Sequence, residues 1–553
     1  MKKYLVSEVH DVLVLIRRMK KVMNIGDDNN KNLSPVGFWV VAPSRRDRLG
    51  IVDATGEKLT FGEMYDRINQ VSHLFRRKGM RVGDTIAVVA RNRVDTMVVH
   101  LAAMQSGLYY TPINYHSVGP EIEYIFRDSE TSLVICDQDF VSVVREVSDA
   151  VKIPLARRIV LGRADGFESL REMIIGESTS LPPDRIGGQI LQYTSGTTGR
   201  PKGVRRKIAN VDADTAAASL SWVLEMYGID ASKPGVMLTT TPIYHTAGLN
   251  LTTLALHFGV SIVLMDRWTP EHMLELIEQF KVNMTVVVPT QFVRLLKLEE
   301  IERNSRDVSS LEWVLHGAAP CSPEIKRQMI EWWGPIIYEY YGSTEVGGTF
   351  VTSDDWLSHP GTVGKPGPVT KLQILNDSDM EMPTGAVGRI FMRQGDDQIE
   401  YLHDPEKTSK SRVRDMMTVG DIGWVDSDGY LYLAGRTSEV IIVGGTNIYP
   451  AEVENVILGH VSVADVCVVG IPSEEYGEEV FAAIVLRGSD QDASETIKNR
   501  VRDEIGKICF ENLAKFKCPR KIEFRHELPR DPNGKLYRKK VRDPFWESVQ
   551  GTL

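Results

Sequence analysis

Thr85-Ile86-Ala87-Val88-Val89-Ala90 (TIAVVA) is followed by Leu108–Ile113 (LYYTPI) and Ser132–Cys136 (SLVIC). Each is a short, almost unbroken apolar run, and helix-like stretches lie between them. A strand with one face in water alternates apolar with polar residues; a strand covered on both faces does not. Covered strands alternating with helical periods specify a buried parallel sheet and a doubly wound α/β fold. Upstream, Phe61, Met64, Ile68, Val71 and Leu74 recur near a 3.6-residue period and predict a helix over residues 61–79. The turn Val82-Gly83-Asp84 then leads into the first strand.

The rhythm returns downstream, where Ser261–Met265, Met284–Val288 and Trp313–Leu315 read as strands. Residues 360–435 change character. Glycine and proline are frequent, helical periods are few, and Lys371–Leu375 and Arg389–Met392 are short candidate strands, which predicts a β-rich subdomain. After Gly435-Arg436 another α/β section begins, with strands at Val466–Val469 and Phe481–Val485 and a helix near 494–509. A domain boundary is placed there. No internal repeat is apparent.

Length and composition set outer bounds. A chain of 553 residues is long enough for several folding units with large cores. Its 42% hydrophobic and 25% charged residues are those of a globular protein, which excludes disordered, collagenous and low-complexity classes. A net charge of −9 argues against a dedicated nucleic-acid binder. No apolar stretch approaches the length of a membrane-spanning helix. The early apolar run, Val12 to Ile16, is too short for a signal-peptide core and is followed by Arg17, Arg18, Lys20 and Lys21, so a cytoplasmic location is expected. Five scattered cysteines (Cys136, Cys321, Cys467, Cys509, Cys518) form no C-x-x-C pair, which points to reduced thiols rather than structural zinc. From Lys515 to Arg542 eleven Lys/Arg face three acidic residues, a basic terminal segment suited to a phosphate-rich ligand or to a solvated face.

The strongest chemical signal is Tyr193-Thr194-Ser195-Gly196-Thr197-Thr198-Gly199-Arg200-Pro201-Lys202-Gly203, after a strand expected at Gln189–Gln192. Glycines let backbone N–H groups approach phosphate oxygens, hydroxyls donate to them, and the lysine offsets charge. The Walker pattern cannot be laid on it. This loop resembles the phosphate-binding signature of the adenylate-forming superfamily, which comprises acyl-CoA synthetases, aryl-CoA ligases, luciferases and peptide-synthetase adenylation domains. The resemblance runs from about residue 40 onward.

The resemblance extends to four further segments. Tyr340-Tyr341-Gly342-Ser343-Thr344-Glu345 is similar to the family segment that sets an aromatic ring beside adenine, the Thr344 hydroxyl at the α-phosphate and Glu345 on Mg²⁺. A hard cation prefers such oxygen donors. Gly420-Asp421 and Gly435-Arg436, fifteen residues on, match the ribose-binding Asp and Arg. Val443-Gly444-Gly445-Thr446 resembles the pantetheine-tunnel segment, with Gly444 and Gly445 assigned to CoA. Pro529-Arg530-Asp531-Pro532-Asn533-Gly534-Lys535 matches the context of the family's catalytic lysine. Lys535 would contact the carboxylate and α-phosphate as negative charge gathers there.

Two weaker matches frame an acyl pocket. Pro242-Ile243-Tyr244-His245-Thr246-Ala247-Gly248 resembles a gating motif, and His316-Gly317-Ala318-Ala319-Pro320 a segment flanking adenine and the acyl group. Tyr244, His245, Gly248, His316, Gly317 and Gly347 are the expected pocket residues, with His245 also a catalytic candidate. Gly317, Ala318, Ala319, Tyr340, Tyr341 and Gly342 join the nucleotide set. Ser438 stands where the family hinge commonly has Asp or Lys, and Val419 where Thr is usual.

The resemblance therefore implies a large N-terminal AMP-binding domain (1–435), a hinge at 436–438 and a small, mobile α+β domain (439–553). It implies an acyl-CoA synthetase using ATP, Mg²⁺ and coenzyme A on a medium- or long-chain or other bulky hydrophobic carboxylic acid. Carrier-protein loading and a non-catalytic nucleotide-binding protein are the alternatives. No nucleic-acid partner and no membrane span are expected, and a homodimer is compatible with the sequence.

Overall fold

A computed structural model describes residues 36–194, 201–220, 235–395, 399–488, 494–530 and 536–550. These fall into two compact units. The first holds the described residues up to Thr239, with Ile243–Asp266 and Pro366–Thr370; the second holds Thr240–Pro242, Arg267–Lys365 and the rest of the chain from Lys371.

In the first unit, the expected runs form β1 (Thr85–Val89), β2 (Tyr109–Ile113) and β3 (Thr131–Asp137), followed by β4 (Arg158–Leu161). β1 pairs in parallel with β2 on one side and β3 on the other, and β4 continues beyond β3. The chain thus enters at the centre and winds outward both ways. Every residue of β1 and β2 is buried, which is why their sequences do not alternate. Helix Phe61–Arg77 begins with a capping box. Thr60 Oγ1 accepts the Glu63 N–H and Glu63 Oε2 accepts the Thr60 N–H, so two N-terminal donors are satisfied at once. Its Phe61, Met64, Ile68, Val71 and Leu74 are buried, as their period predicts. Leu49–Val52, Val236–Thr239 and Ser261–Leu264 form a second parallel group.

The strand expected over Gln189–Gln192 is corrected. It divides at Leu191: Gln189–Ile190 pairs in parallel with β2, whereas β5 (Gln192–Thr194) pairs antiparallel with β6 (Lys202–Arg206). The run is too short for its period to reveal two partners.

Two buried imidazoles of this unit make its stability acid-sensitive. His257 Nδ1 accepts the Phe38 N–H at 3.0 Å, and His100 Nε2 lies 3.0 Å from Thr253 Oγ1. Burial pushes His257 down to about 4 and His100, which also feels His257, to about 3. Below the ordinary histidine value the unfolded chain takes up protons that the folded chain refuses. Stability is therefore complete above about pH 6.5 and declines as pH falls, by about 2 kcal/mol per imidazole at pH 5. The thermal midpoint is expected to drop by several degrees from pH 7 to pH 5. A flat midpoint over that range would exclude neutral burial.

In the second unit, β7 (Met284–Val287), β8 (Trp313–His316) and β9 (Ile337–Gly342) pair in parallel, and β10 (Gly348–Val351) returns antiparallel to β9. The β-rich region has the expected strands at Thr370–Leu375 and Gly388–Gln394, and the antiparallel hairpin β11 (Asp421–Val425) and β12 (Leu431–Arg436). Beyond it, β13 (Ile441–Val443) and β14 (Thr446–Ile448) precede α1 (Pro450–Leu458), β15 (Val463–Ser473), β16 (Gly477–Leu486), α2 (Glu495–Asn512), Lys521–Phe524 and α3 (Arg538–Gln550). Alternate residues of β15 serve two cores. Val466 and Val468 pack with Val453 and Ile457 of α1 and Val501 and Ile505 of α2; Cys467, Val469 and Ile471 pack with Leu528 and Val541. All members of both cores lie between residues 441 and 545. Among the described residues no helix is long and apolar enough to cross a membrane.

Candidate active site

The stem of the hydroxyl- and glycine-rich segment is the β5–β6 ladder, in which Thr194 stands opposite Lys202. Ser195, Gly196, Thr197, Thr198 and Gly199 lie outside the described residues. The stem is tied down from both sides. Tyr193 donates its hydroxyl to Asp128 Oδ2 at 2.7 Å, and the Gln192 side-chain amide donates to the Tyr244 carbonyl at 3.0 Å. Burial, reinforced by Asp128, holds the Tyr193 phenol well above its ordinary value. Ile243 in turn donates its N–H to Asn92 Oδ1 at 2.9 Å. Tyr244 is buried, its ring perpendicular to Tyr115 and 4.4 Å from the His245 ring. His245 stands at the N-terminal boundary of helix Thr246–His257, whose first turn buries Gly248. The structure thus brings Tyr244, His245 and Gly248 to one helix entry, tethered to the β5 stem.

In the second unit β8 ends at His316, and Gly317-Ala318-Ala319 turns away from the sheet. A Cβ on Gly317 would overlap the Tyr340 ring and carbonyl, so the close approach of the two segments requires glycine. Ala318 holds a left-handed φ of 63°, which is uncommon and strained for a residue with a Cβ. Burial pushes the Tyr340 phenol up to about 12.

Tyr341, Asp421 and Arg436 are bonded together. Tyr341 donates its hydroxyl to Asp421 Oδ2 at 2.7 Å, and Arg436 Nε donates to Asp421 Oδ1 at 2.9 Å. The Asp–Arg spacing is a hairpin register: Asp421 and Arg436 are direct partners across β11 and β12. Thr437 closes the ladder through its N–H and hydroxyl on the Gly420 carbonyl. Burial works against the Arg436 guanidinium, but Asp421 and Glu439 outweigh it and keep it above its ordinary value. Burial and Asp421 hold the Tyr341 phenol far above its own. A carboxylate has about four lone-pair positions. Tyr341 and Arg436 use one on each oxygen, which leaves one on each for two further donors, the count that a ribose diol supplies.

Past Gly342, the Ser343 hydroxyl accepts the N–H groups of Glu345 and Val346, both at 3.2 Å, which turns the chain and sets Thr344 between them. Gly342 pairs with Gly348 across β9 and β10, and Gly347 is buried in that turn. Glu345 is itself buried, with Oε1 accepting the Tyr401 hydroxyl at 3.4 Å. A buried carboxylate whose Oε1 is the one oxygen given a side-chain bond among the described residues is a donor of the hard-oxygen kind that a magnesium ion would take.

Ser438 is exposed within the single turn Thr437–Glu439. Gly444 and Gly445 form the two-residue turn between β13 and β14, with φ of 54° and 82°. Positive φ at both positions is what a type I′ hairpin demands. Lys535 lies outside the described residues. On either side, Arg530 is paired with Asp465, and Arg538 with Glu454 and Glu439.

Several partners have no signal in the sequence. Tyr401 on Glu345, Asp128 on Tyr193, Asn92 on Ile243 and Glu439 beside two arginines are joined by tertiary structure alone. Only Glu439, next to the expected hinge, stood within reach of a motif.

The AMP-binding enzyme family model matches residues 38–396, and the AMP-binding enzyme C-terminal domain model matches residues 452–535. The chain is similar to the fatty acid–[acyl-carrier-protein] ligase ScoC of Streptomyces coeruleorubidus, 29% identical over 89% of this chain and 92% of that protein. It is similar to the long-chain-fatty-acid–CoA ligase FadD13 of Mycobacterium tuberculosis, 28% identical over 90% and 95%. Among solved structures, ATP-bound MatB from Rhodopseudomonas palustris superposes with a TM-score of 0.79 at 27% identity, covering 93% of this chain and 99% of that one.

Proposed function

Because the chain belongs to the AMP-binding enzyme family, the ATP-dependent, AMP-forming ligases, we propose that it is a carboxylic acid–CoA ligase acting on a medium- or long-chain fatty acid or another bulky hydrophobic acid. The observation that carries this reading is the Tyr341–Asp421–Arg436 constellation, a buried carboxylate with two acceptor positions left beside an aromatic segment. Small residues at Gly248, Gly317 and Gly347 favour an apolar acyl chain over a second polar group.

The substrate carboxylate attacks the α-phosphorus of ATP, and pyrophosphate leaves with the electron pair of the broken P–O bond. Asp421 takes the ribose hydroxyls, Tyr340 and Gly317 flank the adenine, and Thr194, Lys202 and the residues between them hold phosphates. Thr344 donates to the α-phosphate. Lys535 meets the negative charge that builds up between the carboxylate and the α-phosphate. Glu345 is the residue to hold magnesium, which supplies charge neutralisation on the leaving phosphates. In the second half-reaction the CoA thiol gives up its proton to water and its sulfur attacks the acyl-adenylate carbonyl; the acyl C–O bond to the phosphate breaks and AMP departs with that electron pair. We place a turn of the 439–553 domain about residues 436–438 between the two steps, with Lys535 leaving and the Gly444-Gly445 turn arriving. The two hydrophobic cores described for residues 441–545 draw all their members from that stretch, which supports such a turn.

A second reading has one observation in its favour. ScoC is named for a carrier-protein acceptor, so transfer to a phosphopantetheine arm is the alternative fate of the adenylate. A panel of carboxylic acids from short to long, with ATP and Mg²⁺, is expected to give acid-dependent pyrophosphate release. Acyl-CoA should appear by mass spectrometry and be strongest with apolar acids. Pyrophosphate without acyl-CoA, but with acyl carrier protein, selects the second reading. No pyrophosphate with any acid rejects both.

A further inference from the structure

Behind the nucleotide-facing segments lies a group of buried ionisable side chains that the proposed reaction does not use. Lys326 is fully buried on helix Pro323–Trp333, and its Nζ stands 2.7 Å from Oε2 of Glu339, itself 6% exposed. Lys326 Nζ also lies 4.8 Å from the ring centroid of the buried Trp356. His316, fully buried, places Nε2 3.5 Å from the same Glu339 oxygen, and its ring packs edge-on to Phe292.

A buried ion pair is a poor stabilising device. Each charge loses its hydration, and a well-packed apolar pair of similar volume is often as stable or more so. Its position is more telling. His316 and Glu339 are direct partners across parallel strands β8 and β9. Side chains alternate along a strand. Tyr340, the next residue of β9, therefore emerges on the opposite face, and there Gly317, just past the end of β8, meets it in the contact that only glycine permits. The strained Ala318 follows directly. One face carries the charges and the other carries the pair assigned to adenine.

We propose that Lys326, Glu339 and His316 are positioning residues for the adenine side of the nucleotide site. The Lys326–Glu339 pair anchors β9 to its covering helix one residue before Tyr340. His316 couples that anchor to β8 one residue before Gly317. Rotation or slippage of either strand end would part Tyr340 from Gly317 and open the platform for the base. The inference rests on the AMP-forming reading for its ligand.

The experiment uses the full chain. The double variant Lys326→Met/Glu339→Leu removes both charges at similar volume, and Glu339→Asp keeps the charge while drawing the carboxylate back by one methylene. ATP affinity is measured by titration calorimetry without acid, alongside KM for ATP, KM for the acid, kcat and the thermal midpoint. The double variant is expected to fold with a midpoint near that of the wild type and to bind ATP about tenfold more weakly. KM for ATP should rise with it, while KM for the acid and kcat at saturating ATP stay close to wild type. Glu339→Asp should show a smaller change of the same kind. Wild-type affinity for ATP in the folded double variant overturns the inference, as does an equal rise in both KM values. Should the double variant not fold, unaltered ATP affinity in Glu339→Asp overturns it. A wild-type chain that binds ATP but activates no acid leaves this test intact and rejects the function proposed above.

Discussion

Lys535→Ala is expected to lower acid-dependent pyrophosphate release by about 10²–10³-fold while leaving thioester formation from supplied acyl-adenylate within a few-fold of wild type. Charge accumulates between the carboxylate and the α-phosphate oxygens while the carboxylate adds and pyrophosphate leaves. A preorganised ammonium aimed there stabilises the transition state more than the bound substrates, so its loss falls on kcat rather than on KM for ATP. In the second half-reaction negative charge gathers first on the acyl carbonyl oxygen and then on the departing AMP phosphate, so the sparing of that step is expected from the turn proposed above, which takes Lys535 away before the thiol attacks. The nearest charged residues described on either side are paired. Arg530 Nη2 pairs with Asp465 at 2.8 Å, and Arg538, whose guanidinium burial opposes but Glu454 sustains, is bonded to Glu454 and to the Val468 carbonyl. Both anchors engage residues of α1 or β15, so the substitution should leave the cores of residues 441–545 folded. Lys535→Arg should recover only part of the rate, because a planar guanidinium fans its donors over a wider angle than an ammonium. Two outcomes would remove Lys535 from the adenylation step: equal loss in both half-reactions, or loss in the second alone.

The parallel strands were legible because burial on both faces strips polar residues from them, and β1, β2 and β3 appear within a residue or two of their expected limits. The helix from Phe61 was legible from its period and its Thr60–Glu63 cap. Residues 189–194 were not. A strand of two or three residues has no measurable period, and what separates Gln189–Ile190 from Gln192–Thr194 is the identity of their partners. The site shows the same division. Asp421 and Arg436 were visible as a spaced pair, but the cause of the spacing, a hairpin register, belongs to the fold. Gly444 and Gly445 were assigned to close passage of a thiol arm; in the structure their positive φ values also serve the turn between β13 and β14. His316 was expected at the pocket wall, and the structure places it fully buried beside Glu339 and Phe292, with Gly317 next to it on the Tyr340 side. Contacts such as Tyr401 on Glu345 join residues fifty-six positions apart, and no local pattern encodes them.

Asp421→Asn is expected to weaken ATP binding about a hundredfold and, more diagnostically, to abolish discrimination between ATP and 2′-deoxy-ATP. The carboxylate has one bond from Tyr341 and one from Arg436, and in the proposed reading its remaining lone pairs are the acceptors for the sugar. Hydrogen bonds to a charged acceptor are worth about 1.5–3 kcal/mol each, so losing the charge beneath two hydroxyls costs about 3 kcal/mol or more. Asparagine is the informative substitution because it satisfies its neighbours. Its amide oxygen can accept from Arg436, which only donates, and its NH₂ can donate to the Tyr341 oxygen. Asp421→Ala leaves the Arg436 guanidinium and the Tyr341 hydroxyl without their acceptor, and its lower thermal midpoint would confound the affinity. Tyr341→Phe removes one support and leaves the carboxylate, so a loss of about fivefold is expected. Wild-type enzyme should prefer ATP to the 2′-deoxy analogue, and the Asn variant should bind both alike, because the missing hydroxyl no longer meets an anion. If the variant retained the wild-type preference, the sugar would be held elsewhere, and Asp421 would serve only to join β11, β12 and Tyr341.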